Sequence, residues 1–440
     1  MPGLVRELAI PASTGFFFNT MYNVVDTWYG GRFSTEALAA LSLSFPIFFI
    51  LFSTGSGFST GATALIGNAL GRDDRREAAL TASQGVLLSL LVGAVMMIIG
   101  FLTAPAMYRL LGATDQYLQL CLDYLHIILL GSAFVSSFYM FNGVLNSVGD
   151  TKAFRNYLMV ATVANIILDP VFMYGWVGFP AMGVKGIALA TVMAQGGGVV
   201  FLGRRAWRTG LLHRSEGACW KPNGQVMKAI TAQGIPASLN MVSMALGIFV
   251  ITYFLSTFGQ DVVAAYGAAT RIEQIVLMPA LGLNVAALSL AAQNGGAGRL
   301  DRVRELARTC LRYGSIVMAF GTVLLFFGAE FLMGVFTKDT VVIATGSHYL
   351  RIAAFLEFAY VILFVNTSIL QGLKKPEFAL WIGLYRQLVM PIGLFWLAMN
   401  VFDFGLDGIW WSIFFINWSA ALIAIVYARR KVATLEKEAE

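Results

Sequence analysis

Twelve long apolar stretches, separated by short charged or Gly- and Pro-rich breaks, constrain this chain of 440 residues more than any other feature. A helix needs about 20 mostly apolar residues to cross a bilayer, and backbone polar groups at that depth must be bonded within a helix or a closed barrel. Because the stretches do not alternate between apolar and polar residues, they predict helices. The expected spans are roughly residues 8–30, 36–66, 78–107, 117–147, 153–176, 183–203, 229–258, 262–294, 305–335, 341–371, 377–400 and 406–428.

Composition agrees with a membrane location. Hydrophobic residues make up 58% of the chain and charged residues 12%, whereas soluble domains carry roughly 25% charged residues. The sequence therefore predicts an all-α polytopic membrane protein. Its net charge of +6 comes from basic residues spread over short loops, which suits an anionic membrane leaflet and gives no reason to expect nucleic acid binding. Three widely spaced cysteines, Cys121, Cys219 and Cys310, predict neither a disulfide framework nor a metal centre.

The distribution of lysine and arginine orients the chain. Of the 30 basic residues, 23 fall in the termini, in alternate loops or near the adjoining ends of the spans on one side of the predicted membrane, four fall on the other side, and three lie deeper within spans. Since cytosolic loops carry the excess of Lys and Arg, both termini are expected in the cytosol, in a multi-pass protein of the bacterial inner membrane. The N-terminus leads directly into the first span, so no cleavable signal peptide is expected. A monomer surrounded by lipid is the expected state.

Two sequence echoes indicate an internal duplication. The segment "GNALGRDDRREA" resembles "NGGAGRLDRVRELA", with Gly71–Arg72 matching Gly298–Arg299, and "VLNSVGDTK" (144–152) resembles "ILQGLKKPE" (369–377). The offsets of 227 and 225 residues predict two six-helix lobes. Because each lobe has an even number of spans, the lobes should be related by a pseudo-two-fold axis along the membrane normal. The predicted parts are an N-lobe (1–203), a cytosolic linker (204–228) and a C-lobe (229–440).

Polar side chains converge on one layer of the N-lobe. Asp26 lies about four residues before the outer end of span 1, ~6 Å below the interface, and Asp169 about seven residues before the outer end of span 5, ~10 Å deep. Asn165 is one turn deeper than Asp169 on the same helix face. Tyr124 of span 4 and Thr191 of span 6 reach a similar level. Ionisable residues inside spans mark functional sites by default, so this layer is the main candidate site.

Two carboxyl groups with amide and hydroxyl neighbours suit two tasks. They can surround Na⁺, which prefers oxygen ligands, with Asp26, Asp169 and Asn165 as the possible ligand set. They can also hold a proton, because burial disfavours the charged form of a carboxyl group. No cofactor beyond such an ion is expected. The alternative is that both acids reach water near the interface and cap broken helix ends, which Pro170 favours by freeing a backbone carbonyl.

Pro11 allows two interpretations. If span 1 begins near it, Pro11 is a well-tolerated residue of the first helical turn. If the helix continues toward the N-terminus, Pro11 is a kink point about four turns below Asp26.

Several motifs together resemble the multidrug and toxic compound extrusion (MATE) family. They are "GGRFSTEALAALSLSFPI" after span 1, "GNALGR", "NSVGDTK", "NIILDPVFMYG" and "RIEQIVLMPALGLNVAALSLAAQNGGAGR", in a layout of twelve spans and two halves. The resemblance covers essentially the whole chain. It is strongest to the DinF-like branch, whose N-terminal half carries the cation site.

The resemblance implies a V-shaped pair of lobes that exports organic cations or amphipathic compounds in exchange for H⁺ or Na⁺ by alternating access. Pro11 matches the family's bending proline of span 1, and Asn19 stands where a glutamine is common in the branch, so it is a candidate for the substrate cavity. By matching position, the resemblance implies a cation site made of Asp26, Tyr124, Asn142, Asn165, Asp169 and Thr191.

The sequence of the C-lobe differs from that of the other main branch of the family, the NorM-like branch, in one acidic residue. The NorM-like branch carries an acid early in span 7, where this chain reads "GIPASLNMVSMALGIF" without a carboxylate. Glu273 in span 8 is the remaining candidate to touch cargo, although it could instead bond a neighbouring helix. Arg351, Glu357 and Arg386 are expected to form an interior set of ion pairs.

Other classes of protein fit less well. A flippase for lipid-linked precursors would be expected to have arginines in its cavity, and no span of the N-half contains Arg or Lys beyond its first turn. An exporter of one specific metabolite in the same superfamily stays open as an alternative. An intramembrane enzyme is not expected, because the three histidines are dispersed and no HExxH motif is present.

Overall fold

The computed structural model describes residues 1–110, 113 and 115–439, and these are helical almost throughout, with no strand among them. The predicted all-α class is therefore confirmed. Glu440, the last residue of the predicted C-lobe, lies outside the described residues. The helices of the first half are α1 Pro2–Phe33, α2 Thr35–Gly71, α3 Arg75–Leu110, α4 Asp115–Leu130, α5 Ser132–Ser147, α6 Lys152–Tyr174 and α7 Val184–Trp207. Those of the second half are α8 Gly224–Ser256, α9 Gln260–Gly296, α10 Leu300–Phe336, α11 Thr340–Ala353, α12 Leu356–Gly372, α13 Glu377–Leu384, α14 Met390–Asn400 and α15 Gly405–Ala439.

Most of these helices can cross a bilayer. Within the described residues, nine spans are long and apolar enough, and two bent helix pairs raise that number to eleven. The 32-residue helix α1 supplies the remaining long segment. The predicted spans 117–147 and 341–371 are each broken, by 48° between α4 and α5 and by 50° between α11 and α12. A side chain at Gly131, the residue of the first break, would meet Val192 at 2.5 Å, so only glycine fits there without a shift of its neighbour.

The predicted span 377–400 also contains an irregularity. A π-helical turn, Tyr385–Val389, separates α13 from α14. Such turns insert an extra residue into an α-helix and are frequent at functional positions. The turn carries Arg386, whose guanidinium group donates a hydrogen bond to Asn417 on α15 at 3.0 Å.

The chain forms two compact units whose boundaries fall inside helices. One unit comprises residues 14–238 and the other residues 1–13 together with 239–440. The first turns of α1 therefore pack with the C-terminal helices, and the first turns of α8 pack with the N-terminal helices. Residues 1–13 were predicted in the N-lobe and residues 229–238 in the C-lobe, whereas in the structure each of these two segments belongs to the other compact unit.

The predicted linker is packed rather than extended. Its ends are helical, because α7 continues to Trp207 and α8 begins at Gly224. Between them, the buried side chain of Gln84 on α3 donates to the carbonyl oxygens of Cys219 at 2.6 Å and Lys221 at 3.0 Å. The backbone N–H of Asn223 donates back to Gln84 at 2.8 Å. One amide side chain thus fixes the linker on the 14–238 unit.

An exact repeat of four residues lies at both unit boundaries. Ile-Pro-Ala-Ser occupies residues 10–13 of α1 and residues 235–238 of α8, an offset of 225. The Ser13 hydroxyl donates to the Ala9 carbonyl at 2.9 Å and lies 3.4 Å from the Pro279 carbonyl oxygen on α9. This repeat was not recognised from the sequence, although both copies end at a boundary between the two units.

The second copy makes equivalent contacts. The Ser238 hydroxyl donates to the Gly234 carbonyl at 2.9 Å and lies 3.3 Å from the Thr54 carbonyl oxygen on α2. Each serine also packs on a glycine of that neighbouring helix. A Cβ atom on Gly57 would lie 2.1 Å from the Ser238 hydroxyl oxygen, and one on Gly282 would lie 2.0 Å from the Ser13 hydroxyl oxygen. Small residues at such crossings let two helix backbones approach closely.

We predict that Gly282→Ala strongly destabilises the protein, because the new methyl group would also lie 2.4 Å from the backbone oxygen of Ala9. Overpacking of this kind typically costs about 1–3 kcal/mol. Thermal unfolding in detergent, followed by size-exclusion chromatography, measures the effect, and Gly57→Ala should behave alike. Gly267→Ala on the same helix is the matched control, since nothing lies within 4 Å of its Cβ position. Equal thermal unfolding midpoints for Gly282→Ala and Gly267→Ala would contradict the close approach of α1 and α9 at Gly282.

Candidate functional site

Helices α1 and α6 are joined by two hydrogen bonds on either side of the predicted site. The Thr162 hydroxyl on α6 lies 3.1 Å from the Phe18 carbonyl oxygen of α1, to which it can donate. Nearer the other end, the Tyr29 hydroxyl of α1 donates to the Ile166 carbonyl of α6 at 2.9 Å. These bonds set the register of the two helices, so that the face of α6 bearing Asn165 lies against α1.

Pro170 explains why Tyr29 is needed. Proline has no backbone N–H, so within α6 it leaves the carbonyl of the residue four positions earlier, Ile166, without its helical donor. That carbonyl is the acceptor of the Tyr29 hydroxyl. An unbonded carbonyl is unfavourable in hydrocarbon, and the hydrogen bond from the phenol offsets that cost. The proline after Asp169 therefore ties α6 to the helix that carries Asp26.

Three predicted residues meet in the interior between these helices. Asp26 is buried, and Asn165 and Asp169 are completely buried. The Asn165 amide donates to one carboxyl oxygen of Asp169 at 2.9 Å. The Asp26 carboxyl group interacts with both Asn165 and Asp169. Two carboxyl groups from different helices thus share one water-poor space.

Thr191 completes the contacts of Asp26. Its hydroxyl, on α7, donates to one carboxyl oxygen of Asp26 at 3.1 Å, and both side chains are buried. The structure therefore brings together Asp26 of α1, Asn165 and Asp169 of α6, and Thr191 of α7. We call these four residues the N-lobe cluster.

Several oxygen atoms of the cluster have no partner. One carboxyl oxygen of Asp26, one of Asp169 and the amide oxygen of Asn165 are buried without a hydrogen bond to any described residue. Ionised carboxylates and amide oxygens only accept hydrogen bonds, so they cannot satisfy one another. Buried polar groups are rarely left unpaired, and each exception calls for an explanation. A small cation could coordinate all three oxygens, whereas a proton on one carboxyl group would turn that group into a hydrogen-bond donor to another of them.

Tyr22 was missed by the sequence analysis. It lies four residues before Asp26 on the same face of α1, and its buried hydroxyl has no hydrogen-bond partner in the part of the chain that the structure describes. It interacts electrostatically with Asp26 and Asp169. The helical spacing from Asp26 was the available signal. A single aromatic residue in an apolar helix, however, usually only packs.

The other predicted N-lobe residues are Tyr124, Asn19 and Asn142. Tyr124 on α4 is buried and interacts electrostatically with Asp26 and Asp169. Asn19 is half-buried two helical turns before Asp26 on the same face of α1. Asn142 is half-buried on α5, and its amide oxygen has no hydrogen-bond partner among the described residues.

Pro11 lies inside a helix. Because α1 begins at Pro2, Pro11 is in its third turn, not at its start. It is also two residues before the boundary at which α1 passes from one compact unit to the other.

Glu273 occupies a second buried carboxyl site, in the C-terminal unit. It accepts a hydrogen bond from the Tyr349 hydroxyl at 3.1 Å, and its other oxygen has no partner in the described structure. Arg271 is exposed and lies on another face of α9. Glu357 on α12 is completely buried, has neither oxygen bonded to a described residue, and interacts electrostatically with Glu273.

The expected interior set of ion pairs is wrong for Arg351. This residue is exposed and forms an ion pair with Glu330 at 2.7 Å on the surface of α10 and α11. Arg351 and Glu357 are six residues apart, which places them on different faces of a helix, and the break between α11 and α12 turns them further apart. Arg386 instead lies over the Tyr360 ring, 5.4 Å from its centroid, and bonds Asn417.

Comparison with known proteins gives consistent matches. A family model described as MatE matches the chain twice, over residues 11–171 and 236–396. The multidrug export protein MepA of Staphylococcus aureus is 24% identical over 435 residues, which cover 98% of this chain and 95% of MepA. A protein named FAD transporter from Shewanella oneidensis is 27% identical over 402 residues, covering 89% and 86% of the two chains. A solved MOP superfamily transporter from Pyrococcus furiosus has a TM-score of 0.90 at 24% identity and covers 98% of this chain and 96% of that chain. These likenesses confirm the predicted fold of twelve transmembrane helices in two lobes.

We predict that Tyr29→Phe destabilises the protein by about 0.6–1.7 kcal/mol, the range of interhelical hydrogen bonds in membranes. In a Pro170→Ala background the penalty should largely vanish, because residue 170 then supplies the helical N–H to Ile166. Unfolding free energies in mixed micelles for the four variants of this cycle give the coupling. Tyr253→Phe, at an exposed tyrosine, controls for the loss of a hydroxyl. The same loss of unfolding free energy in both backgrounds would show that the Tyr29 hydrogen bond does not compensate for the N–H that Pro170 lacks.

Proposed function

The chain belongs to the MatE family, and on that premise we propose that it exports organic cations or amphipathic drugs in exchange for H⁺ or Na⁺, with the N-lobe cluster as the coupling site. The observation that carries this proposal is the set of three unpaired, buried oxygen atoms on Asp26, Asn165 and Asp169. Export by alternating access follows from the family, whose members named above include a multidrug export protein.

The cluster has the chemistry of an exchange site. Two carboxyl groups that share a buried space cannot both be ionised at low cost, so in the absence of cargo the pair takes up a proton or Na⁺. A sodium ion would find the free oxygens of Asp26, Asp169 and Asn165, all of the hard type that it prefers. A proton would need only one carboxyl group. Loss of the ion restores negative charge, which favours a cationic cargo in the cavity.

The charges of the interior support a cationic cargo. The charged side chains that are buried among the described residues are Asp26, Asp169, Glu273 and Glu357, all of them acids. Basic residues are not among them, and Arg386 is only half-buried. An anionic cargo would require buried cations instead. This distribution favours organic cations over the anionic metabolite class to which the cargo in the name of the Shewanella relative belongs.

The direction of transport rests on the orientation of the chain. We propose that both termini and the linker are cytosolic and that the protein resides as a monomer in the bacterial inner membrane. The support is that 23 basic residues lie on that side and four on the other. Cargo then leaves toward the outside, and the coupling ion enters down its gradient.

We propose that Pro11 is the point at which α1 bends during transport. A helix bends most easily where a proline removes a hydrogen bond, and Pro11 lies next to the point where α1 passes between the compact units. Its counterpart, Pro236 of α8, occupies the same place in the second Ile-Pro-Ala-Ser segment.

We expect Asp26→Asn and Asp169→Asn each to reduce gradient-driven export of a cationic dye at least tenfold, as expected for loss of an essential proton- or ion-binding group. Folding should stay near normal, because the amide imitates a protonated acid. Proteoliposomes with an imposed pH or Na⁺ gradient measure export, and uptake of H⁺ or ²²Na⁺ by the purified protein identifies the ion. Asp261→Asn, at an exposed acid of α9, is the control. Glu273→Gln should be milder.

Wild-type export by both aspartate variants would refute the N-lobe cluster as the coupling site. Glu273, with Glu357 beside it, would then become the leading candidate. Loss of export in Glu273→Gln alone would lead to the same conclusion.

Pro11→Ala should slow turnover severalfold while ion binding at the N-lobe cluster is retained, because alanine restores the helical hydrogen bond that the proline lacks. Stopped-flow release of dye from preloaded proteoliposomes measures turnover, and equilibrium ion uptake measures the site separately. Pro236→Ala is the matched variant from the other helix. Unchanged turnover in Pro11→Ala would show that the proline is merely tolerated in α1.

A further inference from the structure

A groove with four basic residues on its rim lies at the end of the α6–α7 pair. It has a volume of about 560 Å³ and runs between the beginning of α6 and the end of α7. Its rim carries Lys152 of α6 together with Arg204, Arg205 and Arg208 at the end of α7, and no acidic residue lines it. We call it the basic groove.

Part of this positive charge is not neutralised by the described residues of the protein. Arg205 forms an ion pair with Asp150 at 2.8 Å, just outside the groove. Arg204 and Arg208 are exposed, and neither guanidinium group has a hydrogen-bond or ion-pair partner among the residues that the structure describes. Arg204 and Arg208 are four residues apart and therefore share one face of the chain at the end of α7. Mutual repulsion of these cations would be relieved by an anion between them.

Helix electrostatics account for only part of this arrangement. Arg204 and Arg205 lie in the last turn of α7, where cations stabilise the negative end of a helix. Lys152, however, is the first residue of α6, where the helix dipole disfavours a cation. An anion bound in the groove would lie near this lysine as well as near the arginines across the groove.

The other wall of the groove is apolar and faces lipid. Val200 and Phe201 of α7 line it, and their exposed fractions are 51% and 43%. The exposed apolar surface continues along both helices, at Val160 and Val163 of α6 and Met193 of α7. The groove thus combines a basic rim with an apolar surface. A phospholipid has the matching arrangement, because its phosphate group is followed by its acyl chains.

We propose that the basic groove binds an anionic phospholipid, with its phosphate between Lys152, Arg204 and Arg208 and an acyl chain along Val200 and Phe201. Basic pockets between transmembrane helices on the cytosolic side bind anionic headgroups in this way. The lipid would hold together the ends of α6 and α7, the helices that carry Asp169 and Thr191 of the N-lobe cluster. The binding itself is independent of the proposed transport function.

Native mass spectrometry of the delipidated full-length protein tests this binding. The protein is titrated with phosphatidylglycerol, with phosphatidylcholine, and with glycerol phosphate as a headgroup without acyl chains. We expect the tightest binding for the first phosphatidylglycerol molecule. Arg204→Gln/Arg208→Gln should weaken it by about thirtyfold, since each basic residue near an anionic lipid contributes about a fivefold factor. Arg429→Gln/Arg430→Gln, which removes the same charge from the exposed end of α15, should leave it within about twofold.

Three results would overturn the proposal. Equal losses in the two double variants would mean a general attraction of lipid to a basic surface. Equal binding of phosphatidylcholine would mean that the negative charge is not recognised, and competition by glycerol phosphate at the same concentration as lipid would mean a site for free phosphate. Circular dichroism confirms the fold of each variant. If the double variant does not fold, Arg208→Gln alone, just beyond the last residue of α7, should still weaken binding about fivefold.

Discussion

A backbone carbonyl in hydrocarbon has no water to bond, and in this chain that requirement joins the two helices on which the candidate site is built. Pro170 removes the helical donor of the Ile166 carbonyl, and the Tyr29 hydroxyl replaces it at 2.9 Å. The replacement comes from another helix, so a local defect of α6 becomes a contact with α1. Asp26 and Asp169, each next to one end of this contact, are thereby brought into one buried space.

The same scarcity of water determines which partners the polar side chains of the interior can have. In a soluble protein an unpaired carboxyl oxygen could be solvated, whereas the free oxygens of Asp26, Asn165 and Asp169 lie where hydrogen-bond partners must come from the protein or from a bound ion. Basic residues follow the opposite rule. Arg204 and Arg208 extend from the end of α7, where phosphate groups of lipid can compensate their charge. The interior thus attracts cations and the basic groove attracts anions.

The duplication of the chain is visible where packing leaves little freedom and is absent at the buried acids. Ser13 on Gly282 and Ser238 on Gly57 repeat at an offset of 225 residues with nearly equal distances, because a larger side chain would collide with backbone atoms. The acids do not repeat. At the same offset Asp26 and Asp169 correspond to Ile251 and Leu394. The N-terminal unit has its acids on α1 and α6, and the C-terminal unit has its acids on α9 and α12.

The sequence by itself determined what depends on local periodicity and solvent preference. Apolar length predicted the spans, the two echoes predicted two lobes, and a spacing of four residues placed Asn165 and Asp169 on one helix face. Tertiary structure decided what depends on contacts between helices far apart in the chain. It brought Tyr29 to the carbonyl freed by Pro170 and added Tyr22 to the surroundings of Asp26. It also turned Arg351 outward to Glu330 and packed the first turns of α1 and α8 with the opposite units. The physical reason is that helical spacing fixes which residues share a face, whereas the neighbour of that face is chosen by packing and hydrogen bonding over the whole fold.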